Sequence, residues 1–125
     1  MANSAPAATS AVIDWIAQGA AHFPDKLATI DLHSGRRHSY AVMHDRVGRI
    51  AGHLAALGCG RGDRVAMLSL NSSDMLDVQF ACWRIGLIYT PLNFRLTANE
   101  LAFMVNDSDA KVFFYDTSLA QVQAT

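Results

Sequence analysis

The chain has 125 residues, 51% of them hydrophobic and 17% charged, with 10 Lys and Arg against 11 Asp and Glu for a net charge of −1. This is the profile of one globular domain, without the basic field that nucleic acid or an anionic lipid surface would require. The two cysteines, Cys59 in a glycine-rich turn and Cys82 in an apolar stretch, have neither metal-ligand spacing nor the density of a disulfide framework, which points to a reducing, cytoplasmic setting.

Residues 1–9 are small and polar, with no charged region or apolar run of a signal peptide, and read as a disordered leader. Over residues 10–23, Val12, Ile13, Ile16, Ala17 and Ala20 recur at helical spacing, with Thr9 or Ser10 as the N-cap and Pro24 as the stop. Residues 27–31 are short and β-prone. The turn His33-Ser34-Gly35 then leads into residues 37–40, which predicts a small β-hairpin. From Tyr40 to Leu57 the stripe Met43, Val47, Ile50, Leu54 and Leu57 lies opposite Asp45, Arg46, Arg49 and His53, the pattern of a helix buried on one face. Gly58 sits where a left-handed residue would end that helix. Residues 64–68 follow as a nearly continuous apolar run, the mark of a strand buried on both sides.

Residues 74–85 are apolar nearly all round apart from a thin stripe of Asp74, Asp77 and Arg84, which predicts a helix packed on several sides, capped by Ser72 or Ser73 and ended by Gly86. Residues 87–90 form another strand, closed by Pro91 because proline cannot donate to a ladder. Thr97-Ala98-Asn99-Glu100 is a capping box that opens a helix through Asn106. Residues 111–115 make a further strand, and residues 118–125 begin another helix. Strands alternating with helices predict an α/β fold: a mainly parallel sheet, right-handed crossovers and helices on both faces, with the small hairpin added. The longest apolar window, residues 80–91, is broken by Arg84 and Gly86 and falls short of the about 18 residues a membrane span needs.

Isolated residues give little chemistry. The run Gly58-Cys59-Gly60-Arg61-Gly62-Asp63 leads from a helix into a strand, whereas phosphate-cradling loops lead from a strand into a helix. It therefore reads as a structural turn, with Asp63 stabilising the turn rather than holding a metal. His22, His33, His38, His44 and His53 lack the i, i+4 pairing of a zinc helix and read as surface residues. Ser69, Ser72 and Ser73 lie in no nucleophile elbow. Met75, Phe80, Trp83, Phe103 and Met104 would suit an acyl pocket, but at helical spacing they read as core.

Taken in order, Phe23-Pro24-Asp25-Lys26, Ser39-Tyr40, Leu57 through Ala66, Asn71-Ser72, Arg84-Ile85-Gly86, Tyr89 through Leu96 and Glu100-Leu101 resemble one family. That family is the AMP-forming acyl-CoA synthetases and AMP-dependent ligases of the adenylate-forming superfamily, matched in their amino-terminal subdomain across residues 10–116. The resemblance implies a ligase in which a carboxylic acid, fatty acids among them, attacks ATP to give an acyl-adenylate and pyrophosphate, after which coenzyme A displaces AMP. Mg²⁺ would accompany the phosphates.

The family's Ser/Thr/Gly-rich phosphate loop, a later aspartate resembling a ribose clasp and the carboxy-terminal catalytic lysine have no counterpart here. Residues 10–125 are thus expected to be a truncated part of the AMP-binding domain, inactive alone and binding none of ATP, Mg²⁺ or CoA. No residue is assigned a catalytic, cofactor-binding or metal-binding role. One local departure stands out: the family's T-Y-x-E-L becomes Ser39-Tyr40-Ala41-Val42-Met43, so Val42 replaces a capping glutamate. An alternative reading is a stand-alone α/β binding or interaction module without catalytic activity. A receiver-like version of it lacks clustered aspartates, since Leu70 is followed by Asn71. A sheet taken from a larger domain would expose strand edges and apolar faces and invite self-association.

Overall fold

Local signals set most of the elements in this computed structural model, which describes residues 13–119. Helix α1 (Trp15–His22) begins after Asp14, whose carboxylate accepts a hydrogen bond from the Ala17 N–H at 2.9 Å. Thr9 and Ser10, expected as caps, lie outside the described residues, as do the leader and most of the helix anticipated over residues 118–125. Strands β1 (Leu27–Ile30) and β2 (Arg37–Ser39) pair antiparallel as the predicted hairpin, with Gly35 at φ 74° in its turn.

Helix α2 (Tyr40–Ala56) is capped by Ser39, whose hydroxyl accepts from the Val42 N–H at 3.2 Å. At its other end Cys59 N–H reaches Leu54 O and Gly58 N–H reaches Ala55 O, a Schellman turn that needs the φ of 87° that Gly58 adopts. The remaining elements are β3 (Arg64–Leu68), α3 (Ser73–Arg84), β4 (Ile88–Leu92), α4 (Ala98–Ser108), β5 (Val112–Tyr115) and a 3₁₀ turn, Thr117–Leu119. The α4 capping box is complete, Thr97 and Glu100 each bonding the other's backbone N–H.

Strands β4, β3 and β5 form a parallel sheet in that order, with Leu68 opposite both Leu92 and Tyr115. Alternation along β3 divides the core. Val65 and Met67 pack with Leu54, Val78 and Cys82 from α2 and α3, while Ala66 and Leu68 pack with Leu101 of α4. Helices therefore cover both faces of the sheet, as predicted. A further cluster of Ile16, Met43, Val47, Ala51 and Ala81 fastens α1 to α2 and α3.

Three expectations need correction. Pro91 does not close β4: the strand continues to Leu92 with Pro91 opposite Met67. Among the described residues β4 lies at the sheet edge, where a missing N–H costs no ladder bond. Leu57 is half exposed, and Ala51 completes the buried stripe of α2 in its place. Phe103 is 70% exposed, and Trp83 and Met104 are also exposed rather than core; only Met75 and Phe80 of that group pack against the buried clusters. No described helix is long and apolar enough to cross a membrane.

Candidate functional site at the carboxyl edge of the sheet

Because the strands of the sheet are parallel, the loops that leave β3, β4 and β5 gather at one edge, the edge at which open α/β sheets bind ligands. The Asp116 N–H bonds Leu68 O at 2.8 Å and ties two of these loops together. The Asp116 carboxylate accepts from the Ser118 N–H and hydroxyl at 2.9 and 2.8 Å, which holds it below the usual carboxylate range, with His33 adding a smaller pull. Ser69 is buried, and its hydroxyl donates to Leu70 O at 2.7 Å.

The hairpin closes over this edge and leaves a cavity of about 520 Å³ lined by Asp31, His33, Asn71, Ser72, Ser73 and Leu76 among others. Asp31 is the centre of the contact. One carboxylate oxygen accepts from the His33 and Ser34 N–H groups at 3.1 and 3.0 Å, and the other accepts from the Ser73 N–H and hydroxyl at 3.1 and 3.4 Å. The backbone bonds from Ser34 and Ser73 hold its pKa far below the ordinary value. Asp31 thus caps α3 from 42 residues away. Ser72 occupies the N-cap position but makes no side-chain cap bond, and Ser73 is a donor to the cap. Sequence reasoning missed Asp31, because its spacing signals only the local turn at His33-Ser34.

Ion pairs extend the clamp. Arg36 meets Asp74 at 2.9 Å, while Arg46 meets Asp74 at 2.9 Å and Asp77 at 2.7 Å. Arg46 was expected on the solvent face of α2; it lies instead in the seam with α3, because Asp77 is fully buried and needs a cation. Burial pushes the Asp77 carboxyl up, against the opposing pull of Arg46. Arg84 bonds Asp14 at 2.6 Å and His44 at 2.9 Å. The thin polar stripe read along α3 is therefore the line on which the hairpin, α1 and α2 attach. Of the histidines, His38 is half-buried rather than superficial, and the other four are exposed.

The glycine turn lies at the opposite, amino end of β3. Its Gly60 N–H donates to Asp63 at 2.7 Å and its Gly62 N–H to Gly86 O at 2.9 Å, while Lys111 bonds Gly58 O at 2.7 Å. The Gly60 amide holds the Asp63 carboxyl below its ordinary value. These amides are bonded within the turn or to Gly86, so they are not free to meet an anion. The amino end of α3 fits one no better, since the Asp31 carboxylate already sits there.

A hairpin clamped to the carboxyl edge of a parallel three-stranded sheet with helices on both faces is the arrangement of the amino-terminal domain of adenylate-forming enzymes. The chain superimposes on the fatty acyl CoA synthetase of Mycobacterium tuberculosis with a TM-score of 0.83, 34% identity and coverage of 89% of this chain and 22% of that one. It also superimposes on the O-succinylbenzoate coenzyme A synthetase of Bacillus subtilis in complex with AMP, with a TM-score of 0.75, 29% identity and coverage of 83% and 27%.

Residues 16–125 match the AMP-binding enzyme family, and the chain belongs to it. It is 37% identical over 108 residues to a long-chain-fatty-acid–CoA ligase of Thermus thermophilus, covering 85% of this chain and 20% of that protein. Against a feruloyl-CoA synthase of an Amycolatopsis species it is 40% identical over 97 residues, covering 78% and 20%. The chain spans about one fifth of the length of these curated relatives.

Proposed function

We propose that residues 10–125 form the leading part of the AMP-binding domain of an acyl-CoA ligase, one that converts a carboxylic acid, ATP and CoA into acyl-CoA, AMP and pyrophosphate. The observation that carries this reading is the likeness to named CoA ligases across 85% of the chain, together with the shared fold. Those relatives are named for a long-chain fatty acid and for feruloyl, so the substrate class proposed is a carboxylic acid with an apolar or aromatic tail. ATP and Mg²⁺ enter the proposal through a relative solved in complex with both. Residues 1–9 are proposed as a leader, and the two reduced thiols, Cys82 with its pKa pushed by burial up to about 11, suit a cytoplasmic protein.

The described residues serve this reaction as scaffold. Among them neither the glycine turn nor the amino end of α3 offers a polyphosphate free amides, so the chemistry is assigned to groups elsewhere in the ligase. Isothermal calorimetry of the 125-residue chain with Mg·ATP is expected to give no binding heat, and micromolar affinity would overturn the scaffold assignment. Ligase parentage has a separate test: adding the remainder of such a ligase should restore acyl-CoA formation, and a correctly folded mixture without activity would count against it. We further propose self-association of the isolated chain through the β4 and β5 edges and the exposed Phe103. Light scattering at high concentration should report species larger than a monomer.

A further inference from the structure

A groove of about 590 Å³ lies between α1, β1 and the leading turns of α2 and α3. Small-molecule clefts span roughly 300–1,000 Å³, so its size is that of a ligand site. No residue of the loops that leave β3, β4 and β5 lines it. Its floor is well packed: Ile16 and Met43 are buried, with Ala28, Tyr40 and Phe80 set against them. Gly19 is required in that floor, since a Cβ there would collide with the Tyr40 ring. The rim is apolar and open. Trp15 is 61% exposed and Phe23 59%, and the exposed Leu76 joins them around the same hollow. Single exposed apolar residues are ordinary on a surface, whereas several gathered round a concavity mark a place of binding.

Charge decides what would bind. Lys26 is the one Lys or Arg in the lining, and no Asp or Glu lines the groove. Its ammonium stands 5.4 Å from the centre of the Phe23 ring. By contrast, Arg36, Arg46 and Arg84 nearby in the fold are committed to carboxylates. Gln18 and His22 complete the polar part of the α1 side. A lone ammonium beside apolar walls is complementary to one negative charge carried on an apolar body. With no arginine in the lining, a phosphate would find no bidentate donor there.

We propose that this groove binds a monocarboxylate with an apolar tail, the tail on the Tyr40 and Phe80 floor and the carboxylate at Lys26. Binding here needs no nucleotide and no residue outside this chain, so it is distinguishable from turnover of such an acid by a complete ligase.

Trp15 reports on the groove directly, and Trp83→Phe removes the other tryptophan. In that variant, dodecanoate titrated below its micelle concentration should shift the Trp15 emission to the blue and saturate as a single site. Adding Lys26→Met should weaken dodecanoate about tenfold, the loss of one charge-assisted contact, and leave the neutral dodecanol no weaker. Dodecyltrimethylammonium should bind less tightly than dodecanoate, because Lys26 repels it. Lys26 is exposed, so the fold should survive its replacement, as an unchanged thermal midpoint would show. No saturable shift with dodecanoate, or equal weakening of the acid and the alcohol, overturns the proposal. An emission shift on raising the chain concentration alone, with no further response to dodecanoate, would give the groove to a second copy and overturn it as well.

Discussion

The two faces of the sheet are built to different standards. On one, α2 and α3 enclose Leu54, Val65, Val78 and Cys82 with little or no exposure, Arg46 ties the two helices together through Asp77, and α1 and the hairpin seal the periphery through Asp14 and Asp31. On the other, α4 contributes Leu101 as its only buried residue and leaves Phe103 and Met104 in solvent. Helix α4 is no less apolar in sequence than α2 or α3, yet it is the less well packed, because burial depends on how many elements converge on a helix and not on its composition. The well-packed face should govern stability, and the open face is the one fit to meet another surface.

Truncating one leucine on each face tests this contrast most strongly. Leu54 is fully buried and Leu101 is 3% exposed, so the transfer terms are alike and the surroundings differ. Leu54→Ala should cost about 4 kcal/mol, because helix and sheet on every side hold the cavity open. Leu101→Ala should cost about 3 kcal/mol or less, since the partly buried Phe94, Leu96 and Phe113 around it have room to collapse inward. Equal losses in denaturant titrations would remove the distinction between the faces.

The ion pairs of the enclosed face come next. Arg46→Met leaves Asp77 buried without its cation and should cost about 3 kcal/mol, the low end for a broken buried pair because the Arg46 side chain is 34% exposed. Adding Asp77→Leu to that variant should recover much of the loss, since an apolar pair of similar volume avoids desolvating two charges. A double variant as unstable as the single one would mean that Arg46 contributes by packing and not by charge.

Acid separates the two kinds of carboxylate. Asp31 is held below its ordinary value of 3.8 by backbone hydrogen bonds, so the folded state binds its proton more weakly than the unfolded state does. Its contribution is complete above about pH 4 and is lost as pH falls through the folded value. Asp77 is shifted upward by burial and has the opposite sign: protonation relieves the folded state. Asp31→Asn should therefore be less stable than the native chain at pH 7 and converge with it in strong acid, as read by the thermal midpoint against pH. Asp77→Asn should make the acid limb steeper, because it removes a group whose protonation offsets part of the acid loss. Parallel curves for the native chain and Asp31→Asn would contradict the capping role of Asp31.

What sequence reading found and what it missed follow from range. Periodicity exposed α2, the turn residues exposed the hairpin, and Gly58, Gly86 and the Thr97–Glu100 box marked helix ends, all of them signals confined to a few neighbouring residues. The ordered motif set carried the family in the same way, since it needs only the chain itself. Asp31 on Ser73 and Arg46 on Asp77 span 42 and 31 residues, and nothing in the local pattern marks a surface charge for burial until the hairpin and helices are docked. The exposure of Phe103 was illegible for the mirror reason: an apolar helix position states that a residue can be buried, but only its neighbours decide whether it is. The direction of the glycine turn, from helix to strand, was legible, and its amides are bonded to Asp63 and Gly86.

The smallest effect concerns a place where the chain departs from a local rule that the open face obeys. Helix α4 has both halves of its capping box, whereas α2, the central helix of the enclosed face, has only Ser39, because Val42 stands where a glutamate would bond back to the cap. Val42 is 45% exposed, so replacing it removes little core. Val42→Glu should supply the reciprocal bond and place a negative charge at the positive end of the helix, stabilising the chain by about 0.5 kcal/mol. The charge part of that gain is screened by salt while the hydrogen-bond part persists, so the difference from Val42→Gln should shrink as ionic strength rises. If neither variant stabilises, the exposed part of Val42 packs against more than its exposure implies, and the margin of the enclosed face reaches to its outermost turn.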